Sequence, residues 1–228
     1  MGKIDAIARA RRTVKLLPDP ATPLAGEGLS RAAVEALLAA AGFAPFHRAC
    51  ATARAGGSGG GGAVEPWRVH ALDKPACAAL IPRLDSLAKP PGKIANMLAA
   101  ADALVLVTWL PEEGAAAWAA SEVNMEHIAA TGAMIQTLLL AATERGIGNY
   151  WSSGGVLAGE AFGMLGIGPE ERLLGAIFLW PEMPEGVEAA PGKLRGQRAA
   201  PDRWTRWIEA PGVEVAGIEA SGIEAPAP

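Results

Sequence analysis

Tyrosine occurs once in these 228 residues, phenylalanine four times and cysteine only twice. Cys50 and Cys77 show no CxxC spacing and are too few for a disulfide framework or any zinc site, so neither is expected on them. They suit a reducing compartment, and a cytoplasmic location is expected. Charge is also sparse. Twenty Lys and Arg against 24 Asp and Glu leave a net charge of −4, without the basic excess of a nucleic-acid binder, so no nucleic-acid partner is expected. The opening MGKIDAIARARR has no apolar signal-peptide core, and its sixth residue is Ala6 where a myristoylation signal requires Ser or Thr. The longest apolar run, Ile128 to Ala142, is 15 residues and is interrupted by Thr131, Gly132, Gln136 and Thr137. A bilayer span needs roughly 20, so this run reads as a core helix and no membrane partner is expected.

Alanine, glycine and tryptophan are abundant: 49 Ala, 28 Gly and seven Trp. A first helix is expected over residues 3–12, with Ile4, Ile7 and Ala8 on one face. A second follows the N-cap candidate Ser30, with Val34, Leu37, Leu38 and Ala41 on one face, and stops at Ala44-Pro45. Pro66 to Leu72 reads as a strand with proline at its start, and helical stretches are expected over 74–86 and 92–101. Ala103 to Leu110 and Arg172 to Trp180 are continuously apolar, as in strands buried on both faces. Between them lies the longest helix, about 115–145, apolar nearly all round from Ile128 onward. A loop from Gly148 to Gly155 and a short helix over 156–165 follow it. Elements mixed without clean βαβ alternation indicate an α+β fold.

Two segments stand apart. Residues 48–63 end in a glycine tract, Gly56 to Gly62 broken only by Ser58, and read as an inserted loop. Residues 210–228 carry an imperfect five-residue repeat too short to bury anything alone and read as a disordered tail. One domain is expected over 1–209.

Pattern matches within the glycine tract, GxGxxG and GxSxG, lack the strand-to-helix setting that gives them chemistry. His47, His70 and His127 are too far apart for HExxH, and no Glu-x-x-His lies on the long helix, so no metal site is expected. No catalytic triad or carboxylate pair stands out, and no catalytic side chain is assigned. Arg11-Arg12-Thr13-Val14-Lys15 places three cations and a hydroxyl within five residues, a set suited to a phosphate.

This cluster is the first of five ordered motifs. LLAAAGFAP, Glu65-Pro66-Trp67-Arg68-Val69, LLLAATERGIGNYW and LGIGPEERLLGAIFLWPE follow. Together they resemble the nitroreductase family of FMN-dependent oxidoreductases, most closely its shorter members, over about residues 4 to 208. The resemblance implies a central mixed or antiparallel sheet flanked by helices, with the long buried helix at a homodimer interface. It assigns Arg11, Arg12, Thr13 and Lys15 to the FMN phosphate and ribityl chain. Pro45, Phe46 and His47 match the segment lent to the partner subunit's flavin. Trp151, Ser152, Ser153 and Gly154 match the turn along the isoalloxazine, and Arg195 and Arg198 match a further phosphate-binding cation. It also implies hydride transfer from NADH or NADPH through flavin N5 to a small acceptor such as a nitroaromatic or quinone, by a ping-pong mechanism. Phe46 stands where the family has Ser and Glu65 where it has Gln. Both departures could narrow the pocket, even to a flavin-binding protein with little turnover.

Overall fold

A computed structural model describes residues 2–51, 64–112, 121–180 and 186–208. It divides into two compact units, Met1–Gly192 and Lys193–Pro228. In the first unit the order is α1 (Lys3–Ala10), β1 (Val14–Leu16), α2 (Arg31–Ala41), β2 (Trp67–Asp73), α3 (Lys74–Leu84) and α4 (Lys93–Ala100). It continues with β3 (Ala103–Trp109), α5 (Glu122–Glu144), β4 (Gly148–Ser152), α6 (Glu160–Met164), β5 (Arg172–Trp180) and β6 (Ala189–Pro191).

Four strands form one antiparallel sheet in the order β2-β3-β5-β4. All seven residues of β3 are buried. Its alternate side chains enter two different cores, which is what a strand without a polar face requires. Leu104 and Leu106, with Ala176 and Phe178 of β5, join α3 and α4 on one face. Val105 and Val107, with Ile177 and Leu179, join α2 and α5 on the other. Fully burying each large apolar side chain contributes about 1.5–3 kcal/mol, so this double burial fixes the strand register. A bulge between Val107 and Thr108 shifts the β3–β5 pairing. At that end the buried Glu171 carboxylate accepts from Thr108 Oγ1 and lies 2.7 Å from His70 Nε2.

The helix ends follow local chemistry. The Ser30 side chain accepts from Ala33 N and starts α2, and the Asp73 side chain accepts from Ala76 N and starts α3. In α5, Met134, Ile135, Leu138, Leu139 and Ala142 are buried on the sheet, while Ala129 and Gln136 are exposed and Gly132 is half-buried. The expected burial of α5 is thus met on one side within a single chain. Among the described residues no helix is long and apolar enough to cross a membrane.

Several boundaries differ from the sequence reading. Helix α1 stops at Ala10, and the residues after it form β1, which pairs with β6. The expected loop at Gly148–Gly155 is largely strand: β4 runs to Ser152, paired residue by residue with β5. A Cβ on Gly148 would strike the Trp180 indole, and one on Gly175 the Trp151 indole. Residues 113–120 of the expected long helix, 52–63 of the inserted loop and the tail 210–228 lie outside the described residues.

Cys77 is fully buried on α3. Burial above all, with the Asp73 and Asp102 charges adding to it, pushes its thiol up from 9.0 to about 12. The folded protein therefore keeps a proton that the unfolded chain releases above pH 9. Stability falls as pH rises between about 9 and 12, by at most ~1.4 kcal/mol per pH unit from this group. Urea unfolding of Cys77→Ala across pH 8–11 should show a shallower alkaline loss than the parent.

Candidate functional site

The cation cluster sits where α1 hands over to β1. Arg11 Nη1 donates to Thr13 Oγ1 at 3.1 Å, so a guanidinium and a hydroxyl already form one unit. The chain behind them is fixed, because Gly192 N donates to the Thr13 carbonyl at 2.7 Å. Lys15, two residues on in β1, places its Nζ 5.0 Å from the centre of the Tyr150 ring. That cation–π contact joins β1 to β4, the strand carrying Trp151 and Ser152.

Arg12 behaves differently. Its Nη1 donates to the Ala10 carbonyl at 2.7 Å and to the Arg9 carbonyl. It closes the C-terminus of α1, where a cation complements the helix dipole. Arg11 is thus paired with Thr13 and Lys15 reaches β4, while the Arg12 guanidinium is turned back on its own helix.

At the far end of β4 the chain turns sharply. Ser152 is buried and its Oγ accepts from Gly154 N at 3.1 Å, an interaction that holds the turn closed. Gly154 has φ +95° and Gly155 φ +53°, two successive left-handed residues. A Cβ on Gly154 would run into Leu173 Cδ2. Trp151 lies partly exposed over Gly175 and donates from Nε1 to the Leu174 carbonyl at 3.3 Å, and Ser153 is exposed. Beside the turn is a cavity of about 450 Å³ lined by Gly155, Val156, Gly159, Leu87, Pro90 and Lys89.

The segment after α2 divides as well. Phe46 packs edge-on against Trp67, ring centres 5.6 Å apart, whereas Pro45 and His47 are exposed. The Glu65 carboxylate accepts from Val64 N at 3.0 Å. Arg195 lies in a short 3-10 turn, Lys193–Gln197, and Arg198 follows it, exposed; both belong to the second compact unit.

Sequence reasoning missed Tyr150 and Lys89, whose roles depend on neighbours far along the chain. It also missed a cluster in which Cys50, Glu112 and His127 approach one another. Only spacing along the chain could have signalled that cluster, and its members are 62 and 15 residues apart in sequence order.

Replacing Gly154 with Ala should cost about 1–3 kcal/mol through left-handed backbone strain and the Leu173 contact. The double variant Gly154→Ala/Leu173→Ala should show a non-additive gain, because only the steric share is relieved. Thermal unfolding of the set measures both terms.

No protein-family model matches the chain, and no curated protein matches it. Solved structures do. A nitroreductase-like family protein from Bacillus cereus superposes with a TM-score of 0.66 at 22% identity, covering 92% of this chain and 98% of its own. A putative nitroreductase in complex with FMN from Desulfovibrio desulfuricans gives a TM-score of 0.58 at 17% identity, covering 92% and 99%. A nitroreductase from Lactococcus lactis in complex with nicotinic acid gives 0.57 at 16% identity, covering 91% and 100%. With nearly the whole of each chain superposed, and an antiparallel sheet flanked by helices on both faces, this chain has the nitroreductase-like fold.

Proposed function

We infer that the protein is an FMN-dependent oxidoreductase of the nitroreductase family. It would pass a hydride from NADH or NADPH to a small electron acceptor such as a nitroaromatic or quinone, alternating the two in one slot. The observation that carries this reading is the pairing of Arg11 with Thr13 just before β1, whose Lys15 reaches the Tyr150 ring of β4, the strand that leads into the Gly154–Gly155 turn. Neighbours with the same fold whose descriptions name bound FMN support it.

The donor set fits the cofactor. A phosphate dianion favours a guanidinium, an ammonium and a hydroxyl held in fixed positions, and Arg11, Lys15 and Thr13 supply them. A flat ring system needs backbone that can come close, and the small, left-handed Gly154–Gly155 turn provides it. When bound, the flavin supplies the hydride chemistry. The chain's own work is to hold the phosphate, to offer backbone N–H groups at the turn and to shield the slot with Trp151. Pro45 and His47 are carried as contacts to a partner's flavin. Phe46 rests against Trp67 and Glu65 bonds to Val64 N, so both departures from the family pattern are engaged within their own chain. That favours turnover over a flavin-binding protein with a closed slot.

Purified protein supplied with FMN should absorb near 450 nm and bleach anaerobically with NADH or NADPH. Arg11→Ala should weaken FMN binding by about 10-fold or more, on the scale of a lost charge-assisted hydrogen bond of ~1.5–3 kcal/mol, and Arg12→Ala by much less. Protein that stays colourless would overturn the reading.

The reading includes a homodimer built on the exposed side of α5. A Cβ on Gly132 would meet nothing within 4 Å among the described residues of one chain. Gly132→Leu should therefore preserve helix content by circular dichroism while shifting sedimentation from dimer toward monomer.

A further inference from the structure

Three polar groups that the flavin reading leaves unused converge at one place. Cys50 follows the exit from α2, Glu112 follows β3 and His127 lies in the first half of α5, so three separate segments meet. One ligand-capable atom from each residue lies within 4.8 Å of the other two. Cys50 and His127 are buried, and Glu112 is half-buried.

The carbonyl of Leu110 organises the cluster. It accepts from the Cys50 thiol at 3.8 Å and lies 3.4 Å from His127 Nδ1. The second contact places the imidazole proton on Nδ1 and leaves the lone pair on Nε2, the arrangement seen when a backbone carbonyl orients a metal-binding histidine. His127 Nε2 is buried and has no hydrogen-bond partner among the described residues. An unpaired acceptor in the interior is costly unless something fills it. Glu112 is already positioned: its Oε1 accepts from Ala51 N at 2.7 Å, and its own N–H donates to Asn124 Oδ1 at 2.9 Å.

We propose that Cys50, Glu112 and His127 form a binding site for a zinc-class divalent cation, independent of the flavin. The donor set is one thiolate, one imidazole and one carboxylate. Sulfur and nitrogen disfavour magnesium and calcium, which take oxygen ligands. Metal–ligand bonds of about 2.0–2.3 Å put tetrahedral ligands roughly 3.3–3.7 Å apart, so closing the cluster takes shifts of about an ångström. Binding converts the Cys50 thiol to thiolate, and its proton leaves to solvent. Three protein ligands leave a fourth position for water, with access from the side of half-buried Glu112. The ion ties the segment after α2 and the end of β3 to α5.

The test is zinc titration of the full chain after chelator dialysis, with metal content by mass spectrometry. One zinc per chain should bind with submicromolar affinity and raise the melting temperature. Glu112→Gln retains an oxygen acceptor for Ala51 N–H, so it should fold like the parent in chelator yet bind at least about 10-fold more weakly, the scale of losing a metal-site contact. Cobalt in place of zinc should give a thiolate charge-transfer band that Cys50→Ser abolishes and Cys77→Ser leaves intact. Absence of stoichiometric zinc, or affinity and cobalt spectra unchanged in Glu112→Gln and Cys50→Ser, would overturn the proposal. Should Cys50→Ser fail to fold, Glu112→Gln decides the matter.

Discussion

The neighbouring strands β3 and β5 are apolar on both faces, and most of the remaining architecture answers that constraint. A sheet with no polar side must be covered twice, so α2 and α5 lie on one face and α3 and α4 on the other. Covering both faces leaves the strand ends as the accessible parts of the sheet. It is at such an end, where β4 stops at Ser152 and turns through Gly154 and Gly155, that the candidate cofactor site is found. The same constraint explains the glycines inside the sheet. Gly148 and Gly175 leave room for the Trp180 and Trp151 indoles, which a Cβ at either position would strike.

The site itself needs little from the core beyond position. Arg11 and Thr13 are prepared for an anion by their mutual hydrogen bond and by the Gly192 bond behind them. Lys15, on β1, is held over Tyr150; β1 pairs with β6, and Arg11 and Thr13 lie just before that strand. Backbone pairing fixes where these residues start, so less freedom is lost when a ligand arrives than in a mobile loop. Arg12, adjacent in sequence and similar in chemistry, caps α1 instead. Two neighbouring arginines thus divide, Arg12 closing the helix and Arg11 pairing with Thr13 in the proposed phosphate set.

Much of this was legible in the residues. The β3 and β5 strands could be read from continuous apolar runs, because no helix of that length and β-branching competes, and the start of α2 from Ser30, whereas its end comes at Ala41, before the expected Ala44-Pro45 step. The cation cluster and the turn after Trp151 came from ordered motifs. What was not legible depended on distant partners. The Gly148 segment looks like a loop until the Trp180 indole is placed beside it. Arg12 cannot be separated from Arg11 without knowing where α1 ends. The Cys50, Glu112 and His127 cluster has no chain spacing to reveal it, since β3 and α5 bring its members together only in three dimensions.

The central claim is that the α1–β1 junction and the turn after β4 serve one bound FMN. Backbone amide chemical shifts recorded while FMN is added test it directly. The account predicts saturable shifts concentrated at residues 11–15 and 152–155, with the core of β3 unchanged. Saturable binding that leaves both segments unmoved, or no binding at all, would contradict it.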